Sequence, residues 1–243
     1  LGGLVLAGIT GFVVIGGLKR IAEVATFLVP LMGSIYFGAM IVALTLNLNL
    51  VLPAFKLILV DAFNGTAIAG GTFFGVLIYG VRRGAFSNEA GMGTESLVHG
   101  VAKVSNPVKQ GLVAMTGPIF DTLIICTATA LMILVSGVWE TSSSQGVTLT
   151  AEAFSILLGN FGGLILFICV ICFGLSTIFT YSYYGATCSR FLFGKFGMKF
   201  YIYLYILSIF IYSIVPIDIA INIADGAFAM MAIPTLISAL WLA

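Results

Sequence analysis

Long stretches without a charged side chain constrain this sequence more than any other feature. No Asp, Glu, Lys or Arg occurs between Glu23 and Lys56, or between Glu152 and Arg190. A helix of about 20 apolar residues is long enough to cross the hydrocarbon core of a bilayer. Charged residues make up 8% of the chain, whereas soluble domains carry about 25%. Because the apolar runs are continuous rather than alternating, they exclude a β-barrel. The sequence predicts an all-α, polytopic membrane protein.

The apolar runs predict seven membrane spans. Their approximate bounds are residues 1–18, 24–47, 67–101, 110–137, 160–188, 200–222 and 226–243. Basic residues follow the first, third and fifth spans, and the positive-inside rule places these connections on the cytoplasmic side. The chain starts inside an apolar run without a methionine, so we expect a fragment that begins within a transmembrane helix. We expect residues 1–243 to form a single transmembrane domain, embedded in the lipid bilayer of the plasma membrane, with no nucleic-acid partner.

The third span is interrupted by a polar, glycine-rich stretch, RRGAFSNEAGMGTES, at residues 82–96. The apolar run before it, residues 66–81, would rise only about 24 Å as a helix, which is short of a hydrocarbon core of about 30 Å. Glycines at positions 84, 91 and 93 favour unwinding. Irregular backbone survives at membrane depth only inside protein or beside a cavity. A break inside the membrane is therefore predicted, with a solvated cytoplasmic turn as the alternative.

A broken helix in a membrane creates a binding site for a small charged solute. Its two halves present unpaired N–H groups at one end and unpaired carbonyls at the other, which suit a carboxylate and a cation respectively. Ser87, Asn88 and Glu89 add side-chain oxygens at the same place. The stretch therefore predicts a site for a ligand that carries both a carboxylate and an ammonium group.

Three further polar residues lie at membrane depth in other spans. Asp121 lies about 11 residues into the fourth span, where a carboxylate is by default a functional candidate. It could hold a cation, take a proton or pair with a neighbouring helix. Ser176 and Thr177 lie near the middle of the fifth span, and Thr177 shares a helix face with Tyr181. Hydroxyls of this kind suit a small, hard cation, although they also serve as helix–helix contacts.

Several other residues are predicted to be structural. Cys169 and Cys172 lie in an apolar run without a second pair or a nearby histidine, which favours helix packing over a redox or metal role. His99 has no metal-binding partner in the sequence pattern. Asp225 precedes the last predicted span, where we expect it to cap the N-terminus of the helix.

The sequence resembles the alanine or glycine:cation symporter family, also called the sodium:alanine symporters. The longest and most specific match is SNEAGMG at residues 87–93; GGLKRIAEVATFLVPLM, NPVKQGLVAM, STIFTYSYYG and IADGAFAMMAIPTLISAL also match. The resemblance covers essentially the whole chain and about the latter half of the family's proteins. It implies a leucine-transporter-type fold of two five-helix inverted repeats, in which the seven spans correspond to helices 4 to 10 and the interrupted span is the broken helix 6.

The resemblance also implies a function and a site. It implies Na⁺-coupled symport of a small neutral amino acid, alanine or glycine, by alternating access, with no cofactor other than Na⁺ as the coupling ion. The expected substrate contacts are Phe86, Ser87, Asn88, Glu89, Ala90, Gly91, Thr177 and Tyr181. The expected Na⁺ ligands are Ser176, Thr177 and Asp121. The chain departs from the family's usual residues at Thr94, Asn106, Tyr181, Ala186, Phe228 and Thr235, which leaves the identity of the amino acid open.

Three rival functions give different expectations. A proton-coupled transporter could use Glu89 or Asp121 as its protonatable group, and it would depend on pH rather than on Na⁺. An intramembrane enzyme needs paired acids, a Ser–His pair or a His-Glu-x-x-His motif at depth, and no such spacing is present, so we expect no enzyme activity. A passive channel needs repeated pore-lining motifs, which the sequence lacks.

Overall fold

The computed structural model describes residues 2–63, 72–89 and 91–242, and within these ranges the chain is helical with no strand. The helices are α1 Gly2–Val14, α2 Gly17–Leu46, α3 Leu48–Ala62, α4 Thr72–Asn88, α5 Thr94–His99, α6 Pro107–Ser136, α7 Val138–Thr141, α8 Val147–Leu158, α9 Asn160–Tyr212 and α10 Ile217–Leu242. Within α6 the segment Ile119–Cys126 is π-helical. The all-α prediction is confirmed for the described chain.

Four helical segments are long and apolar enough to cross a membrane. They are Arg20–Leu46, Pro107–Ser136, Asn160–Tyr212 and Ile219–Trp241. Large apolar side chains cover their outer surfaces; Phe196 is 82% exposed and Trp241 is 86% exposed. Such extensive apolar surface is unusual for a soluble protein and suits contact with lipid. These helices and the apolar exterior confirm a multi-pass membrane protein.

Several span boundaries differ from the prediction. The predicted connection after the second span contains the helix α3, Leu48–Ala62, because its apolar run continues past Lys56. The predicted connection after the fourth span contains α7 and α8. Residues 67–71 of the predicted third span lie outside the described residues.

The prediction that Asp225 caps the last helix is wrong. The helix α10 already begins at Ile217, and Asp225 lies buried within it, 8% exposed. The backbone N–H groups of Ile219 and Ala220 both donate to the carbonyl of Pro216. Proline favours the first turn of a helix, where a missing N–H is tolerated. Pro216 was therefore the better sequence signal for the start of α10.

The chain divides into two compact units. The first unit comprises Leu1–Met32, Gly91–Lys103 and Ile171–Ala243, and the second comprises Gly33–Ala90 and Val104–Val170. The core of the second unit includes Met132, Phe154 and Cys169. Its centre is fixed by Tyr36, whose ring stacks on Phe154 at 5.5 Å between centroids and whose hydroxyl is 2.8 Å from the Thr129 hydroxyl. The burial of Cys169 in this core supports its prediction as a packing residue.

In the first unit, α9 folds back on itself as a helical hairpin. Gly194 has φ 68° and ψ −158°, which interrupts the helix within Asn160–Tyr212. Across this kink, the Tyr205 hydroxyl donates to the carbonyl of Ile178 at 2.8 Å. A Cβ atom added at Gly185 would collide with Tyr201, so the two arms are antiparallel and closely packed. The core of this unit contains Val13, Val14, Ile21 and Phe179.

A local hydrogen bond organises the connection between α7 and α8. The Ser144 hydroxyl donates to Oε1 of Glu152 at 2.6 Å. This bond, and then one from Ser142, hold the pKa of the Glu152 carboxyl below its usual value. Because the folded pKa is lower than the unfolded one, the resulting stabilisation is present above the unfolded pKa and is lost as the pH falls through the folded pKa.

Candidate ligand site at the helix interruption

A helix interruption lies within the predicted stretch, and it is shorter than expected. The helix α4 ends at Asn88 and α5 begins at Thr94. Between them, φ is 56° at Glu89, 77° at Gly91 and 88° at Gly93. Ala90, an expected substrate contact, lies outside the described residues.

Glu89 is the one non-glycine residue with a left-handed φ in the described chain. This conformation costs an L-amino acid about 1–2 kcal/mol, and such strain is often found at functional sites. Phe86, Ser87 and Asn88 are helical, and so is Gly84, which we had expected to help unwind the chain. Among the described residues between α4 and α5, the irregular backbone is therefore confined to Glu89 and residues 91–93.

The end of α4 contacts the π-helical segment of α6 within the second unit. The Ser87 hydroxyl donates to Oδ2 of Asp121 at 2.7 Å. Nδ2 of Asn88 donates to the Thr122 hydroxyl at 3.1 Å. The Thr122 hydroxyl in turn donates to Oδ2 of Asp121 at 3.4 Å. The structure thus brings two expected substrate contacts together with Asp121, an expected Na⁺ ligand.

The π-helical segment turns two consecutive side chains toward the same partner helix. Asp121 and Thr122 both bond to the last turn of α4. Pro118, which directly precedes the segment, has no N–H to donate to the carbonyl one α-helical turn earlier, so the α-helical pattern is weakened at this point. Helices with this wider turn occur often at functional sites. Sequence reasoning missed both the π-helix and the role of Thr122, and Pro118 was the available signal.

A second group of expected site residues lies on α9 in the first unit. Ser176 is buried, 6% exposed, and its hydroxyl donates to the carbonyl of Phe173 at 2.9 Å. Because the Ser176 hydroxyl hydrogen is already donated within the helix, Ser176 can bind a ligand only through its oxygen lone pairs. Thr177, the neighbouring residue, is exposed.

Aromatic rings surround Tyr181, the expected substrate contact one turn after Thr177. The ring of Tyr181 lies 5.3 Å from Tyr184 and 6.1 Å from Phe228 between centroids, the latter edge-on. Phe228 comes from α10, so the two helices form an aromatic wall. Tyr181 and Phe228 are two of the positions at which the sequence departs from the usual residues of the family it resembles.

The C-terminal part of the interruption packs against α10 in the same unit. A Cβ atom added at Gly93 would lie 2.7 Å from the Thr235 hydroxyl oxygen, and one added at Gly91 would lie 3.5 Å from Leu236. Met92 between these glycines is buried, 3% exposed. The close approach of α10 requires a residue without a side chain at position 93.

Thr94, the first residue of α5, has a buried hydroxyl without a hydrogen-bond partner among the described residues. A buried polar group of this kind is destabilising unless something pairs with it. Thr94 directly follows the interruption and packs in the first unit. Its hydroxyl is therefore a polar group at the break that a bound solute or a further segment of protein could satisfy.

The structure and the sequence together define a class of protein. It is a multi-pass helical membrane protein with an interrupted helix whose flanking residues carry carboxylate, amide and hydroxyl groups. Comparison with known proteins narrows this class. The sodium:alanine symporter family matches residues 1–243, and the chain belongs to that family.

Individual relatives agree with this assignment. The sodium/alanine symporter AgcS of Methanococcus maripaludis is 37% identical over 243 residues, which are 99% of this chain and 53% of that protein. The probable sodium/glutamine symporter GlnT of Bacillus subtilis is 34% identical over 237 residues, 97% of this chain and 50% of that protein. The sodium/proton-dependent alanine carrier protein of Bacillus sp. PS3 is 33% identical over 199 residues, 76% of this chain and 45% of that protein. The chain spans about half the length of these relatives.

Proposed function

We propose that this protein is a secondary active transporter that carries a small neutral amino acid, alanine or glycine, together with Na⁺ by alternating access. The observation that carries the proposal is the interruption at residues 89–93 in a chain of the sodium:alanine symporter family. The names of all three relatives described above include sodium, and two of them include alanine. Transport of this kind requires no covalent chemistry, so we propose no enzyme activity.

We further propose that residues 1–243 form one transmembrane domain of the leucine-transporter type. In this proposal the chain crosses the membrane seven times and corresponds to helices 4 to 10 of two inverted repeats. The helices α4 and α5 would be the two halves of the broken helix 6. Their separation by residues 89–93 supports this assignment.

The proposed substrate contacts form two groups. The first is Phe86, Ser87, Asn88, Glu89, Ala90 and Gly91, at the end of α4 and in the interruption. The last carbonyls of a helix are unpaired and carry partial negative charge, so the end of α4 suits the ammonium group of an amino acid. The second group is Thr177 and Tyr181 on α9, and the aromatic wall of Tyr181 and Phe228 supports a small apolar side chain on the substrate.

The proposed Na⁺ ligands are oxygen atoms of Ser176 and Thr177, with Asp121 as a third candidate. Na⁺, like other hard cations, prefers oxygen ligands. Since the Ser176 hydroxyl donates to Phe173, its lone pairs are oriented to accept or to coordinate. One relative is called a sodium/proton-dependent alanine carrier, so protons could also contribute to coupling. Another is called a probable sodium/glutamine symporter, so a larger substrate is an alternative.

Uptake by the full-length protein in proteoliposomes tests the proposal. Labelled alanine, glycine and glutamine are offered under an inward gradient of Na⁺, of K⁺ or of protons. We expect alanine or glycine to accumulate only under the Na⁺ gradient. Accumulation driven by protons alone would establish the proton-coupled alternative. Preferential uptake of glutamine would show that glutamine, and not alanine or glycine, is the transported amino acid. Uptake indifferent to all three gradients would reject symport.

Two substitutions test the proposed contacts in the same assay. We expect Asn88→Ala and Thr177→Ala to abolish Na⁺-driven uptake while the protein still reaches the membrane. Thr45→Ala is the matched control for Thr177→Ala, because Thr45 is also exposed and its hydroxyl bonds within its own helix, to the carbonyls of Ile41 and Val42. Normal uptake by Asn88→Ala and Thr177→Ala would remove both residues from the proposed site.

A further inference from the structure

Four side chains join the end of α4 to the π-helical segment by a directed series of hydrogen bonds, here called the Ser87–Asp121 network. It consists of Ser87, Asn88, Asp121 and Thr122. The Asn88 amide donates to the Thr122 hydroxyl, and the hydroxyls of Thr122 and Ser87 both have Oδ2 of Asp121 as acceptor. Oδ2 of Asp121 is the acceptor for both hydroxyls, so Asp121 sets the direction of these two bonds. The amide nitrogen of Asn88 can only donate, which sets the direction of the third bond.

This direction determines what Ser87 can offer a ligand. A serine hydroxyl has one hydrogen, and that of Ser87 is donated to Asp121 at 2.7 Å. A hydroxyl donor bonded to a charged acceptor makes one of the stronger hydrogen bonds in proteins. Ser87 is left with its oxygen lone pairs. The Cys126 thiol, whose sulfur lies 3.8 Å away, can donate to one of them, and the remaining lone pair suits an ammonium group or a cation. Asn88 is fixed in a similar way, since one of its amide hydrogens points to Thr122.

We propose that Asp121 and Thr122 are positioning residues, which hold Ser87 and Asn88 in the orientation that receives the transported solute. In this view Asp121 acts through Ser87 and does not itself coordinate Na⁺, so this role replaces its candidacy as a third Na⁺ ligand. The π-helix makes the arrangement possible, because it presents the consecutive residues Asp121 and Thr122 to the same turn of α4. This inference rests on the proposed transport function and adds a role for the helix that faces the break.

Direct coordination and positioning predict different mutant behaviour. If Asp121 binds Na⁺ directly, removing its charge weakens the binding of Na⁺ whether or not Ser87 is present. If Asp121 acts through Ser87, then much of the effect of removing Asp121 disappears once Ser87 is already absent, and only its effect on Asn88 through Thr122 remains. Coupling of this kind between contacting residues is measured by a double-mutant cycle.

The test uses the full-length protein in proteoliposomes and measures the KM for the amino acid, the half-saturating Na⁺ concentration and the maximal rate. The variants are Ser87→Ala, Asp121→Ala, their double mutant, Asp121→Asn and Thr122→Val. We expect Ser87→Ala and Asp121→Ala each to raise the KM about tenfold, the size expected for losing a hydrogen bond to a charged group. The double mutant should raise the KM by clearly less than the product of the two single-mutant effects. Asp121→Asn keeps one acceptor oxygen, so its KM should lie within about threefold of the wild-type value.

A matched control and two contrary outcomes sharpen the test. Thr116→Val is the control for Thr122→Val, because Thr116 lies on the same helix and its hydroxyl donates to the backbone carbonyl of Val113, within that helix. Losses that multiply in the double mutant would overturn the shared role. An Asp121→Asn variant as defective as Asp121→Ala, with the defect confined to Na⁺ dependence, would assign Asp121 as a direct ligand instead.

A second measurement does not depend on transport, so it separates failure of this inference from failure of the proposed function. A maleimide is reacted with Glu89→Cys, placed directly after the network, in a background without the native cysteines. Cys126 is replaced by Ser, because its sulfur lies 3.8 Å from the Ser87 hydroxyl and a serine keeps a group that can form this hydrogen bond. We expect Ser87→Ala or Asp121→Ala to increase the labelling rate severalfold, because the last turn of α4 loses its attachment, and Thr116→Val to leave it unchanged. Equal labelling rates in all variants would overturn the positioning role even if wild-type protein transports alanine.

Discussion

Glu89, Gly91 and Gly93 carry the backbone through left-handed conformations within five residues. Gly93 is the most restricted of the three, because the hydroxyl of Thr235 approaches the place where a side chain would begin. The peptide groups on either side of it can then turn away from the helical direction. The chemistry proposed for the site therefore depends on one position that tolerates only glycine.

We expect Gly93→Ala to destabilise the protein and to abolish transport. The alanine would have to adopt φ 88°, which costs about 1–2 kcal/mol, and its Cβ would lie 2.7 Å from the Thr235 hydroxyl oxygen. Thermal unfolding of the purified full-length protein and uptake in proteoliposomes measure the two effects. Gly84→Ala is the control, since it lies in α4 with open space around it and should be neutral or slightly stabilising. Equal stability and transport in both variants would show that the left-handed turn is dispensable.

At the level of single residues, the sequence predicts most of the interruption but not the residue at which it begins. The density of glycines at positions 91 and 93 indicates unwinding by local conformational preference alone. Phe86, Ser87 and Asn88 remain helical because the last turn of α4 is held by Asp121 and Thr122, which are 34 residues away along the chain. A contact between residues so far apart leaves no local pattern in the sequence.

At the scale of elements, α9 shows how a single residue can replace a loop. The sequence predicts two separate spans, 160–188 and 200–222, and the structure continues the helix through most of the expected connection. Gly194 alone is non-helical within Asn160–Tyr212. Its φ and ψ fall in a region that is essentially restricted to glycine. The basic residues Arg190, Lys195 and Lys199 flank the kink, which agrees with the charge pattern used to predict this turn.

We expect Gly194→Ala to destabilise the hairpin by about 1–3 kcal/mol, the usual cost of such backbone strain. Denaturant or thermal unfolding of the full-length protein measures the change. Gly174→Ala is the matched control on the same helix, because it has helical backbone and open space around it. A loss of stability no larger than that of Gly174→Ala would contradict the assigned role of Gly194.

Two of the elements that the sequence did not predict have a common cause. The π-helix in α6 and the helix α3 both lie in apolar stretches where hydrophobicity alone gives no boundary. Asn47 separates α2 from α3 with φ −122° and ψ 33°, and its side-chain amide donates to the carbonyl of Ala43 at 2.9 Å. The break between the two helices therefore needs no glycine or proline at this position. In membrane proteins the apolar pattern predicts that a helix exists, and its ends depend on individual polar contacts.

For the molecule as a whole, the distribution of basic residues predicts which connections face the cytoplasm. Lys103 lies in the connection after the third predicted span, and Gln145 lies in the connection after the fourth. The prediction places these two connections on opposite sides of the membrane. In intact cells, we expect a membrane-impermeant maleimide to label Gln145→Cys and to leave Lys103→Cys unlabelled until the membrane is permeabilised, because basic connections are retained inside. A background without the four native cysteines is required. Labelling of both positions from outside would contradict the proposed number of crossings between them.

The hairpin in α9 also affects how this protein can be handled in the laboratory. A protease needs several residues of extended chain to bind its substrate, and the turn at Gly194 offers a single non-helical residue between two helical arms. Affinity tags and cleavage sites are therefore poorly suited to that turn. Ser142, which has an extended conformation immediately after α7, begins a stretch better suited to such insertions.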